Sequence, residues 1–168
     1  MKAFTAAMHY NKDTNYRLAR IISRVRTPWR LPVLYLICIL SISSGFFYFT
    51  GTLSQLAVIA FGCFLFTSIQ VPAKGRAKQS MDAVGAEAFT VAYSFQQDCL
   101  TLTSTIGQEN QLDYSQIIRL AEDRKYLYVF SDLSSAYMIE KASVDKGGCR
   151  ELKTFLSLKS NQAWKYIF

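Results

Sequence analysis

From Leu31 to Val71 the sequence carries no charged residue and is dense in Leu, Ile, Val, Phe, Tyr and Cys. The run divides at Gly51-Thr52 into two arms, residues 31–50 and 53–71, each about 19 to 20 residues long. At 1.5 Å rise per residue each arm would span roughly 30 Å, the thickness of a bilayer's hydrocarbon. A helix on the surface of a globular core would show a polar stripe at 3.6-residue spacing, and neither arm has one. Two transmembrane helices joined as a tight hairpin are the expectation. Ser41, Ser43, Ser44, Thr67 and Ser68 can bond back to their own helix or across to its partner. Gly45, Gly51 and Gly62 would let the two helices approach closely.

The flanks give an orientation. Lys2, Lys12, Arg17, Arg20, Arg24, Arg26 and Arg30 precede the run against a single Asp13, and Lys74, Arg76 and Lys78 follow it. Basic residues at membrane ends stay in the cytoplasm, so both termini are expected inside and the Gly51 turn outside. Arg17, Arg20, Arg24, Arg26, Arg30, Lys74, Arg76 and Lys78 are then candidate contacts to a lipid bilayer with anionic headgroups. The thirty residues ahead of the first arm, with Trp29 and Pro28, argue against a cleaved signal peptide.

This partition accounts for the basic character of the chain. Residues 1–80 hold ten Lys and Arg against one acid, a net charge of +9, while residues 81–168 hold nine against eleven, a net of −2, within a total of +7. The excess sits beside the apolar run, which speaks against a nucleic-acid partner. Cys38 and Cys63 lie in the arms, Cys99 and Cys149 beyond them, and none forms a CxxC pair. A disulfide framework or zinc site is not expected.

Ahead of the arms, residues 2–10 read as a short strand, and Asn11 or Asp13 is positioned to cap a following helix. Leu18, Ile21, Ile22 and Val25 recur at helical spacing, with Arg17, Arg20 and Arg24 on the other side. Such a basic amphipathic helix either lies on the inner leaflet or packs its apolar face on the C-terminal domain; the sequence leaves both open. Residues 1–30 form this N-terminal piece and 72–88 a polar connector.

From Phe89 the period changes to two. Phe89, Val91, Tyr93 and Phe95 alternate with Thr90, Ala92 and Ser94, and 99–104 pairs with them as a hairpin. Further strands are expected at 108–112, 117–122, 125–130 and 136–140, five or six antiparallel strands in all. A helix starting at Asp145 or Gly148 puts Cys149, Leu152, Phe155 and Leu156 on one face to cap the sheet. Residues 161–168 either pack on the sheet or touch the membrane.

No catalytic constellation stands out. The only histidine is His9, so residues 81–168 lack the usual base for an activated nucleophile. Glu122 and Asp123, beside Arg124 and Lys125, read as a solvated strand turn, and Asp113 as a turn residue. No catalytic, cofactor-binding or metal-ligating residue is assigned, and no cofactor is expected. Tyr114, Tyr126, Tyr128 and Tyr137 either line a binding face or fill the sheet core as aromatic strand residues do.

The segment Leu112-Asp113-Tyr114-Ser115-Gln116-Ile117, then Glu122, Tyr126-Leu127-Tyr128 and Ile139-Glu140-Lys141-Ala142, resembles the YcxB-like family of bacterial membrane proteins over residues 89–158. The resemblance implies an α+β membrane protein: a transmembrane hairpin followed by a cytoplasmic antiparallel sheet, a curled or partly open barrel of pleckstrin-homology-like type, closed by a C-terminal helix. It implies a bacterial cell-membrane location and no established activity. A non-catalytic binding or scaffolding domain, 89–168, held at the membrane for a protein or peptide partner is the expected function. The alternative is an accessory or immunity-type subunit of a transport or signalling complex that acts through its hairpin.

Overall fold

The structure, a computed structural model, describes residues 4–26, 28–47, 51–68, 75, 78–79, 82, 88–145 and 148–167. Among the elements they form are β1 (Phe4–Tyr10), α1 (Lys12–Arg26), α2 (Arg30–Phe47), α3 (Thr52–Ser68), β2 (Phe89–Phe95), β3 (Cys99–Ser104), β4 (Glu109–Asp113), β5 (Arg119–Glu122), β6 (Tyr126–Phe130), β7 (Ala136–Glu140), α4 (Gly148–Ser160) and β8 (Trp164–Tyr166). Tight 3₁₀ turns at Tyr114–Gln116 and Lys141–Ser143 lead into β5 and follow β7.

The membrane-spanning reading of residues 31–50 and 53–71 is corrected, and with it the multi-pass cell-membrane location. Among the described residues no helix is long and apolar enough to cross a membrane. Helix α2 has 18 residues and opens on Arg30, and α3 has 17. At 1.5 Å per residue these make about 27 and 26 Å, short of the roughly 30 Å of hydrocarbon. The sequence count ran through residues 48–50 and 69–71, which lie outside the described residues, as does most of the 72–88 connector.

The two helices do form a hairpin with each other. A Cβ on Gly62 would lie 2.8 Å from Ile42 Cγ1, and one on Gly45 3.1 Å from Ile59 Cγ1, so both glycines permit the close approach. Cys38 is buried in the same seam. Because Ile42 Cγ1 belongs to a β-branched side chain with little rotamer freedom, Gly62→Val must push the helices apart, at about 1–3 kcal/mol. Thiol labelling checks this: in a chain lacking the other three cysteines, Cys38 is expected to react roughly tenfold faster in the variant.

The strands form two four-stranded sheets, ordered β1-β2-β3-β4 and β7-β6-β5-β8, in place of the single curled sheet or partly open barrel expected. The first is antiparallel throughout, with Tyr10 opposite Phe89 and Phe4 opposite Phe95. In the second, β8 runs parallel to β5, which the chain achieves by crossing back through α4. The alternation at Phe89–Phe95 and the runs at 99–104, 125–130 and 136–140 predicted strands, and β2, β3, β6 and β7 lie within them. Residues 4–10 join the C-terminal strands in one sheet, so the N-terminal piece is not separate from the sheet domain.

One continuous core unites these layers. Tyr93, Phe95, Leu100, Leu120, Leu127 and Phe130 are among its fully enclosed side chains. On α4, Leu152 and Leu156 enter it, while Phe155 packs edge-on against Tyr114 at 5.5 Å and beside Phe4 at 5.6 Å. Asn161, at φ 53°, ends α4 in the left-handed conformation that a helix terminus favours.

Helix α1 begins with a reciprocal cap: the Thr14 N–H donates to Asn11 Oδ1 at 2.9 Å and the Asn11 N–H to Thr14 Oγ1 at 2.7 Å. Ile21 is buried, and Leu18, Ile22 and Val25 pack against the core. The apolar face of α1 therefore lies on the sheets, one of the two placements the sequence left open. Where β1 meets β7 the ladder is replaced by side chains. Ser143 Oγ accepts the Ala7 N–H and donates to the Ala7 carbonyl, and the Asp145 N–H reaches the Thr5 carbonyl. An otherwise bare sheet edge is thereby covered.

Candidate binding site

The turn between β5 and β6 places two neighbouring carboxylates in different settings. Asp123, read from sequence as solvated, is buried. Its Oδ1 accepts the backbone N–H of Lys125 and of Tyr126, each at 2.8 Å, and its Oδ2 accepts the Tyr128 hydroxyl at 2.8 Å. Arg17 on α1 brings Nε to 3.3 Å from Oδ2 and lies over the Tyr126 ring, 5.0 Å from its centroid. Burial pushes this carboxyl up, but the Tyr128 hydroxyl, the two N–H groups and the Arg17 charge outweigh it and hold it below its ordinary value. Burial and the Asp123 carboxylate push the Tyr128 hydroxyl far up, so it remains a donor.

Glu122 points into a different neighbourhood. Lys141 Nζ donates to its Oε2 at 2.7 Å and to the Asp123 carbonyl at 2.6 Å, and Lys153 Nζ donates to its Oε1 at 2.5 Å. Burial raises this carboxyl, and the two ammonium groups more than offset that, leaving it below the usual value. Its sequence neighbours Arg124 and Lys125 are not its ion-pair partners among the described residues.

Around this triad opens a cavity of about 580 Å³ between α4 and the β5–β8 edge, lined by Glu122, Lys141, Arg150, Lys153, Leu158 and Trp164, with Cys149 also at its wall. Trp164 donates its indole N–H to the Lys153 carbonyl at 2.9 Å, and the Lys153 ammonium sits 5.5 Å from the Trp164 ring centroid. The Cys149 thiol is pushed up by burial, against the opposing charges of Lys141 and Lys153, which keeps it protonated.

The tyrosines singled out by sequence do not share one surface. Tyr114 is buried and donates to the Gln96 and Cys99 carbonyls, and Tyr128 is buried against Asp123. Tyr126 lies under Arg17, and Tyr137 is half-buried beside the core.

Of the basic residues, Arg17 is committed to Asp123. Arg20 and Arg26 are exposed on α1, Arg24 is half-buried, and Lys78 is exposed. Arg30 begins α2, and Lys74 and Arg76 lie outside the described residues. Beyond α1 the hairpin turns large apolar side chains outward: Leu36, Ile39, Leu40, Leu53, Leu56 and Phe61 are all more than half exposed, and Trp29 is 78% exposed. So large an apolar surface is not a feature of an isolated globular domain.

Sequence reasoning missed the pairing of Glu122 with Lys141 and Lys153 and the contribution of Trp164. The one available signal was the helical spacing that sets Cys149 and Lys153 one turn apart on α4. No family model, no curated protein and no solved structure matches this chain.

Proposed function

We propose that this chain is a non-catalytic binding module whose α2–α3 hairpin contacts a lipid bilayer, with the two-sheet domain held beside the headgroups. The observation that carries this reading is the set of large apolar side chains exposed on the hairpin that follows a basic helix. The proposal concerns contact with lipid, not passage through it. Burial of apolar side chains in the interfacial layer supplies the driving force, at about 25 cal/mol per Å² removed from water. Arg20 and Arg26 on α1 and the exposed Trp29 suit a layer of anionic headgroups above the acyl chains.

Flotation of the full chain with phosphatidylcholine vesicles, with and without phosphatidylglycerol, tests this. The chain is expected to float with both and to bind the anionic vesicles more tightly, in a salt-sensitive way. Leu40→Asp combined with Leu56→Asp places charges on the exposed faces and is expected to abolish flotation while the sheet domain unfolds at its usual temperature. Unchanged flotation of that variant, or a wild-type chain that pairs with its own copies and ignores vesicles, would overturn the reading.

A further inference from the structure

The cavity beside Glu122 gathers cationic side chains. Two ammonium groups already converge on one carboxylate there, and their donors are not exhausted. An ammonium has three N–H groups. Lys141 uses two, on Glu122 and the Asp123 carbonyl, and Lys153 uses one on Glu122. Arg150 at the rim brings a guanidinium with no ion-pair partner among the described residues. Two ammonium groups face one internal anion and Arg150 lines the same cavity, so these four side chains sum to two positive charges. Next to them Trp164 and Leu158, the latter 77% exposed, give an apolar floor.

We infer that this cavity binds a phosphate ester with a flat apolar group, its oxyanion on Lys141, Arg150 and Lys153 and its ring against Trp164. The excess of two positive charges matches a phosphate monoester, which carries about −1.5 to −2 at neutral pH. Arginine adds the paired donors that suit phosphate oxygens. Trp164 is tied to the backbone of α4 through the Lys153 carbonyl, and the Lys153 ammonium lies 5.5 Å from its ring centroid, so ring and cation adjoin on one wall. This inference does not rest on the hairpin's contact with lipid. The ester could be a soluble metabolite or a lipid headgroup, and the two sources share this chemistry.

Trp164 reports on the site directly. The full chain carries two tryptophans, and Trp29→Phe leaves Trp164 as the only one. Titration of that chain with phenyl phosphate is expected to quench its fluorescence saturably. Inorganic phosphate should bind more weakly, and benzyl alcohol should leave the signal unchanged. Arg150→Gln, at an exposed rim position outside the Glu122 triad, is expected to weaken phenyl phosphate about tenfold, and Lys153→Gln by at least as much. If Arg150→Gln also weakens flotation on vesicles containing phosphatidic acid, the ester is a headgroup; if flotation is unmoved, it is a soluble molecule. Equal quenching by benzyl alcohol, or wild-type affinity in both variants, overturns the inference. The Leu40→Asp/Leu56→Asp chain retains the phenyl phosphate response even where its lipid contact is lost.

Discussion

Replacing Asp123 with Ala is expected to lower the unfolding free energy by about 3–4 kcal/mol at neutral pH, because one substitution strands several buried groups at once. The Tyr128 hydroxyl loses its acceptor inside the core, the Lys125 and Tyr126 N–H groups lose theirs at the turn, and Arg17 loses the charge it faces. Tyr128→Phe removes only the hydroxyl and should cost about 1–2 kcal/mol. The double variant should cost clearly less than the sum of the two, because the pair shares one bond. The effect also carries a pH signature. The Asp123 carboxyl is held below its ordinary value in the folded chain, so its contribution is fully present above the unfolded carboxylate value and disappears as pH falls through the lower folded one. Denaturant unfolding of both chains should therefore show the gap narrowing only in acid, and a gap that is constant from neutral to acid pH would refute the account.

Leu152→Ala is expected to cost about 3–5 kcal/mol. Leu152 is fully enclosed and holds α4 on the shared core, beside Leu156 and one residue from the lysine that grips Glu122. Its removal leaves a cavity where helix and sheets meet, and neither layer can close over it without moving the other. Since one core serves both sheets, the loss should appear as an earlier midpoint in a single cooperative transition, not as separate melting of α4. Leu158→Ala on the same helix, at an exposed position, should stay within about 0.5 kcal/mol of wild type. Comparable effects at the two positions would mean that α4 is not seated as described.

What could be read from the sequence was local. The alternation at Phe89–Phe95, the helical spacing of Leu18, Ile21, Ile22 and Val25, and the apolar stripe of α4 each depend on residues within a few positions of one another, and the elements lie where those patterns put them. The partnership of Tyr10 with Phe89 and the parallel pairing of β8 with β5 depend on distant residues, and no window of sequence contains both sides. Asp123 shows the same limit at the level of one side chain. Next to Arg124 and Lys125 it resembles any surface turn, yet its charged neighbour is Arg17, brought there by α1. The apolar run misled in another way: absence of charge fixes which residues avoid water but not where the described helices begin and end.

Strand β1 is hydrogen-bonded along its length to one made only after the whole hairpin has emerged. During synthesis β1 has no ladder partner until β2 appears, so the hairpin meets its surroundings before the first sheet can close. The hairpin is thus a long excursion between two adjacent strands, made in full before the first sheet can close. A chain shortened to its C-terminal half would leave β2 paired with β3 alone, its other edge a row of open peptide groups ready to join another copy.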